Sequence, residues 1–192
     1  MFTELMKAAR NWLLGRDPME IAEKAGVSFD GTAFRFESLG RTVTVAYPEY
    51  TVVPQLEEWW TMVILHYLKL ADGTPCTGRL ISFAQQRDGM VRGGGFDRTV
   101  EMQMQTYWGT LPIEELERKC GALGGRILKS NADLCVELPF LPRYPVTLKL
   151  WLADDEFPAS GRLLLDSSAE HYLTIEDSVT VGSILLQMLE QS

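Results

Sequence analysis

The chain predicts an α+β fold in one domain, residues 1–192, in which an antiparallel sheet, an N-terminal meander plus a C-terminal ribbon, packs against several helices. Three observations carry this expectation. Apolar residues alternate with period two over 27–47 and again over 134–152. They recur at helical spacing over 1–15, 54–71 and 174–190. No internal repeat, low-complexity linker or compositional break divides the 192 residues, a length at which one core buries about 70% of the unfolded chain's surface.

Taken in order, Phe2, Leu5, Met6, Ala9, Trp12 and Leu13 form an apolar face broken by Glu4, Lys7, Arg10 and Asn11. That is an amphipathic helix rather than a signal peptide, which needs an uninterrupted apolar run. Asp17 as N-cap, Pro18 at the first helical position, Glu20 reaching back and Gly26 beyond the end frame a second helix. Val27-Ser28-Phe29 and Phe34-Arg35-Phe36 flank Asp30-Gly31, a pair suited to a type I′ turn. Leu39-Gly40 turns the chain again into Thr42 to Tyr47, completing a three-stranded meander.

From Pro54 to Ala71 the period changes to helical, with Leu56, Trp59, Trp60, Val63, Tyr67 and Leu70 on a wide apolar face. A turn over Asp72 to Pro75 leads to a short strand near Arg79 to Phe83. The segment 84–95, ending in Gly93-Gly94-Gly95, is expected to be a mobile loop before a helix over 97–108, and Pro112 opens another helix. Two strands around Leu134 to Leu138 and Val146 to Leu152 flank a proline-rich connection over 139–145. Thr174 and Asp177 form a capping box for a terminal helix whose polar stripe is Glu176, Thr180, Ser183, Gln187 and Glu190.

Composition narrows the partners. Eighteen Lys and Arg against 26 Asp and Glu repel a phosphate backbone, so nucleic acid is not an expected partner. The longest apolar run in the interior falls far short of a membrane span, so no membrane role is expected either, and the location expected is cytoplasmic. The three cysteines, Cys76, Cys120 and Cys135, lie far apart without a CxxC pair and read as small hydrophobes in a reducing compartment.

The segments LHYLKLADGTPCTGRLISF and WLADDEFPASGRLLLD followed by HYLTIED, together with Phe96 in its glycine-rich surroundings and Gly124-Gly125, resemble the bacterial and archaeal domain-of-unknown-function 3786 family. The resemblance runs from about the first helix to the last. It implies no established activity. Some relatives carry an added cysteine-rich iron–sulfur segment, which implies a setting in anaerobic redox or one-carbon metabolism. No such segment stands in this sequence, so no iron–sulfur cluster is expected, and no other cofactor is specified.

The chemistry-bearing residues are few. Asp154 and Glu156 share a face if the preceding strand's alternation persists, a pair suited to Mg²⁺ or Ca²⁺ or to acid–base work, although solvated strand ends are the commoner origin of such pairs. They are weak metal candidates, and no metal is assigned. His171, five residues after Asp166, is placed to meet that aspartate or the acidic triplet. His66 lies at the edge of the apolar face of the central helix. Arg92 to Arg98 places glycines at an expected helix start, a weak phosphate cradle without a Walker or dinucleotide pattern. Cys76 has no basic neighbour in sequence to lower its pKa.

The function expected is that of a small-ligand-binding or accessory protein of anaerobic metabolism. Trp59, Trp60, Tyr67, Phe83, Phe96 and Trp151 would line an apolar pocket, and His66, Asp154, Glu156 and His171 would form its polar rim. The alternatives are a metal-assisted enzyme using the acidic and histidine residues, or a protein-interaction module with a protein partner. The oligomeric state is not specified by the sequence.

Overall fold

The structure, a computed structural model, describes the backbone of residues 2–192; Met1 and the side chains of Phe2 and Thr3 lie outside the described residues. Among the described residues, two antiparallel sheets and six α-helices form an α+β architecture. Helices α1 (Phe2–Leu13) and α2 (Pro18–Ala25) open the chain. Asp17 caps α2 by accepting from the Met19 amide, and Gly26 ends it at φ 67°. Glu20 pairs instead with Lys24, one turn on.

The first sheet contains β1 (Ser28–Phe29), β2 (Ala33–Ser38), β3 (Arg41–Ala46) and β4 (Thr51–Val53) in sequence order. The expected three-stranded meander is thus extended by β4, a strand too short to show alternation. The type I′ signature also falls elsewhere. Leu39 and Gly40, at φ 47° and 72°, join Ser38 directly to its partner Arg41. At Asp30-Gly31 only Gly31 has positive φ, and the Asp30 carboxylate accepts from the Thr32 and Ala33 amides to close a longer loop.

The second sheet runs β5-β9-β8-β7-β6, with β5 (Leu80–Ile81), β6 (Arg126–Ile127), β7 (Leu134–Leu141), β8 (Tyr144–Trp151) and β9 (Ser160–Asp166). The connection is therefore only the turn Pro142-Arg143, and the rest of 139–145 is strand: Pro139 pairs with Pro145, and the register shifts just beyond, between Pro139 and Leu141. The two sheets meet along β2 and β7. There the Leu39 amide donates to the Pro139 carbonyl, and Ser38 Oγ donates to the Phe140 carbonyl at 2.6 Å. Ser38 Oγ in turn accepts from the indole of buried Trp60 at 3.1 Å, so a polar bond crosses the core without an orphaned group.

Three helices cover this frame: α3 (Glu58–Leu70), α4 (Gly89–Thr106) and α6 (Ile175–Gln191), while α5 (Ile113–Ala122) packs at the β6–β7 end. The glycine-rich segment expected to be a loop is the first half of α4. Gly89, Gly93 and Asp97 repeat every four residues and so share one face of the helix. A Cβ at Gly89 or Gly93 would overlap the Phe83 carbonyl oxygen, so only glycine lets the 3-10 turn Phe83–Gln85 lie against the helix. Asp97 completes the seam by accepting from the Phe83 and Ala84 amides at 3.2 and 2.9 Å. No helix begins at residue 97, and the weak phosphate-cradle candidate over 92–98 lies inside α4 rather than at a helix start.

At the far end of α6 buried Lys119 donates to the Leu189 and Glu190 carbonyls, placing a cation where the helix dipole is negative. The polar stripe expected on α6 faces outward at Glu176, Ser183, Gln187 and Glu190, while Val181 and Leu185 are fully buried. Burial of each such side chain contributes about 1.5–3 kcal/mol. Among the described residues no helix is long and apolar enough to cross a membrane.

Candidate functional site

The α3 sequence sets two faces. Trp60, Ile64 and Tyr67 point into the core, while Trp59, Met62, Val63 and His66, at helical spacing, turn toward α6. From α6 come Asp177, Thr180 and Ile184, likewise one stripe. Between the stripes runs a groove of about 490 Å³, mostly apolar, with Leu5 of α1 at its margin. Arg92 of α4 and Glu176, paired at 3.1 Å, border it.

His66 is the groove's chief polar group. Its Nδ1 lies 2.7 Å from Asp177 Oδ1, and the carboxylate side chain is only 10% exposed. The other oxygen, Oδ2, accepts from the Thr174 hydroxyl at 2.8 Å and from the Thr174 amide at 3.3 Å, and Thr174 Oγ1 accepts from the Asp177 amide. This reciprocal capping box at the N-terminus of α6 fixes the carboxylate, and the helix dipole favours its negative charge. An ionised carboxylate only accepts hydrogen bonds, so neutral His66 carries its proton on Nδ1 and leaves Nε2 as an acceptor. The hydrogen bonds of the described residues leave Nε2 unused.

Beneath the box a second link reaches the sheet. Ser178 Oγ donates to the Thr174 carbonyl and accepts from Tyr144 Oη at 2.6 Å. Burial holds the Tyr144 phenol above its ordinary range, so it remains a proton donor. The start of α6, and with it Asp177, is thereby anchored to β8.

Of the residues named from the sequence, the structure brings Trp59 and His66 together on this groove. Tyr67 is a core residue: its hydroxyl donates to the Ala25 carbonyl at 2.6 Å and accepts from the Arg143 amide at 3.0 Å. Phe96 packs on Phe83, with ring centroids 4.7 Å apart, and against Gly182 of α6. Trp151 ends β8 and donates to the Asn131 carbonyl. Asp154 accepts from the Glu156 and Phe157 amides, which hold its carboxyl below the usual range, in an exposed turn that also carries Glu156. His171 meets neither Asp166 nor the triplet; its Nδ1 lies 2.7 Å from Asp72 Oδ2.

The expected single rim of His66, Asp154, Glu156 and His171 is therefore not formed. Strand alternation ends at Trp151, so Asp154 and Glu156 follow turn geometry rather than a shared face. Asp166 serves the fold instead. Buried at the end of β9, it accepts from Thr77, Gly78 and Ser168, clasping the 76–78 loop. Burial raises its carboxyl, but these bonds outweigh that and keep it below the usual range. Cys120 and Cys135 are buried as expected, whereas Cys76 is an exposed residue whose thiol is partly covered; that partial burial, followed by the Asp166 charge, pushes its pKa up. No cluster of three or more metal-ligating side chains occurs among the described residues.

The groove residues that sequence reasoning does not reach are Asp177, which reads only as a helix cap, and Arg92 and Glu176. The capping box is a visible signal, but the His66 contact spans 111 positions.

Fold and groove together define an α+β protein with a carboxylate-oriented histidine beside an apolar cleft. The chain belongs to the family described as domain of unknown function (DUF3786), whose model matches residues 17–188. Leu5 of α1, at the groove's margin, precedes that span. No curated protein and no solved structure matches the chain.

Proposed function

We propose that the α3–α6 groove binds a small molecule with an apolar body and a hydrogen-bond-donating end, which makes the chain a small-ligand-binding domain. The observation that carries this reading is the acceptor Nε2 of His66, oriented through Nδ1 by Asp177, at an apolar groove of about 490 Å³. That volume lies within the range of small-molecule sites. Met62, Val179 and Ile184 offer an aliphatic face. Glu57, Glu176 and Asp177 outnumber Arg92, which disfavours an anionic ligand.

An accessory place in anaerobic metabolism is the setting that the family resemblance implies, and the identity of the ligand tests it. A second reading, an enzyme using His66 as general base, rests on the same Nε2, since a hydroxyl bound there would stand beside a carboxylate-supported imidazole. Native mass spectrometry of gently purified protein, followed by ligand-observed NMR with neutral and cationic aromatic and alkyl fragments, tests the binding reading. Binding should weaken by about tenfold in His66→Leu, the size of one well-placed hydrogen bond, with the fold intact by circular dichroism. Failure of every fragment to bind, or equal binding by His66→Leu, would remove the groove from consideration. Conversion of a bound fragment, lost in the same variant, would move the assignment to an enzyme.

A further inference from the structure

The polar stripe of α6 has a counterpart on α4. Arg92, Thr99 and Gln103 recur at helical spacing, and Glu176, Ser183 and Gln187 repeat the same intervals on α6. The Arg92–Glu176 ion pair, between positions 84 apart, sets the two helices side by side in that register, so Thr99 comes beside Ser183 and Gln103 beside Gln187. Between these C-terminal halves lies a cavity of about 470 Å³, which adjoins the His66 groove along the ridge of Ser183 and Gln187.

Tyr107 and Trp108, which follow α4, close its end. Trp108 is only 4% exposed. Its indole N–H has no acceptor among the described residues, yet the described polar atoms sealed from the surface without a partner are Arg10 Nε and Gln86 Oε1. The small surface that Trp108 keeps therefore includes Nε1, and the cavity it lines is where that surface lies. A nearly buried donor that reaches a cavity without an acceptor marks where a ligand oxygen gains most. The exposed amides of Gln103 and Gln187 likewise take no part in a hydrogen bond among the described residues. Thr99 and Ser183 donate to the Gly95 and Val179 carbonyls and keep their lone pairs.

The lining chooses among ligands. Glu190 is the one charged residue among those described in it, so an anion finds no cation, and a cation finds a single exposed carboxylate. A wholly apolar molecule would leave the indole and both amides without partners. A hydroxyl donates and accepts at once, which suits primary amides that do the same and an indole that only donates. The Tyr107 ring is 43% exposed and stands at 73° to that of Trp108, centroids 4.9 Å apart, so a ligand meets one aromatic platform rather than a slot between parallel rings. A puckered ring with C–H groups on its face and hydroxyls at its edge fits such a platform.

We propose that this cavity is a second binding site, for a neutral sugar ring that rests on Tyr107, accepts from the Trp108 indole N–H and exchanges hydroxyl hydrogen bonds with Gln103 and Gln187. The site makes no use of His66, so either site can exist without the other.

The test is an NMR titration of the full chain with the methyl β-glycosides of glucose and galactose at millimolar concentration. Cyclohexanemethanol, a ring of like size without ring hydroxyls, and thymine, a flat ring, are the controls. Saturable shifts by at least one glycoside are expected at the Trp108 indole N–H and at the Gln103 and Gln187 side-chain amides, with the His66 ring unmoved. Trp108→Phe, Gln103→Leu and Gln187→Leu should each weaken that glycoside by about threefold to tenfold, the size of one hydrogen bond, and the controls should bind weaker than the glycoside by at least as much. Should Trp108→Phe fail to fold, the two exposed glutamine changes serve instead. Failure of both glycosides to bind, an unmoved indole, equal binding of either control, or titration of the folded variants like the parent would overturn the proposal.

Discussion

The two histidine–aspartate pairs have the same Nδ1 to oxygen separation, 2.7 Å, in different surroundings. In His66–Asp177 the side chains are 27% and 10% exposed; in His171–Asp72 they are 40% and 49% exposed. A hydrogen bond to a carboxylate is stronger where water is excluded, and an exposed pair contributes little to stability. The second difference lies in what else each carboxylate holds. Asp177 is the N3 member of a capping box tied through Thr174 and Ser178 to β8, whereas Asp72 closes a local turn by accepting from the Thr74 amide. Pair distance therefore does not rank the two; burial and the further bonds of the carboxylate do.

The sharpest way to break this comparison is Asp177→Ala. It removes a capping box worth about 0.5–2 kcal/mol and a hydrogen bond from half-buried His66 to a charged acceptor, worth about 1.5–3 kcal/mol. Urea unfolding at neutral pH should show a loss of about 2–4 kcal/mol with an unchanged slope. Asp72→Ala should lose no more than about 1 kcal/mol. Equal losses would mean that burial does not separate the pairs.

A smaller effect asks whether the two regions are mechanically joined. Helix α4 carries Arg92 to the groove, and its glycine face seats the turn that leads to Gln86, which lines a cavity with His171. Gly93→Ala should cost about 1–3 kcal/mol through overpacking and shift the NMR signals of both histidines. A Cβ at Gly95 meets nothing, so Gly95→Ala should stabilise by up to about 1 kcal/mol through helix propensity and leave both histidines unmoved. Similar behaviour of the two alanines would contradict the close approach of helix and turn.

What is legible in the sequence follows from range. Asp17-Pro18 with Gly26, and Thr174 with Asp177, are local devices whose bonds close within a few residues, and the structure forms both caps where expected. The interior strand β9 escapes a sequence reading because Leu163, Leu164 and Leu165 form a continuous apolar run without alternation, in a strand flanked by β5 and β8. The α4 glycines mislead for the opposite reason: their low helix propensity is real, but contact with the Phe83 carbonyl, not propensity, decides. Both histidine partnerships join distant segments, across 111 and 99 positions, and a single sequence holds no local signal for either.

The finest test of the comparison uses acid. Burial acts to raise the Asp72 carboxyl, but hydrogen bonds from Thr74 and His171 outweigh it and bring its pKa down to about 2. In the unfolded chain an aspartate titrates near ~3.9. A folded-state pKa below the unfolded one means stability that is fully present above about pH 4 and lost as pH falls through 4 toward 2. Since the group is half exposed, the whole contribution is at most about 1 kcal/mol after solvent screening. Asp72→Asn keeps the shape and removes the charge, so its deficit in urea melts should be present at pH 6 and shrink toward zero as pH approaches 2. A deficit that stays constant down to the acid limit would show that Asp72 acts through the shape of its turn alone.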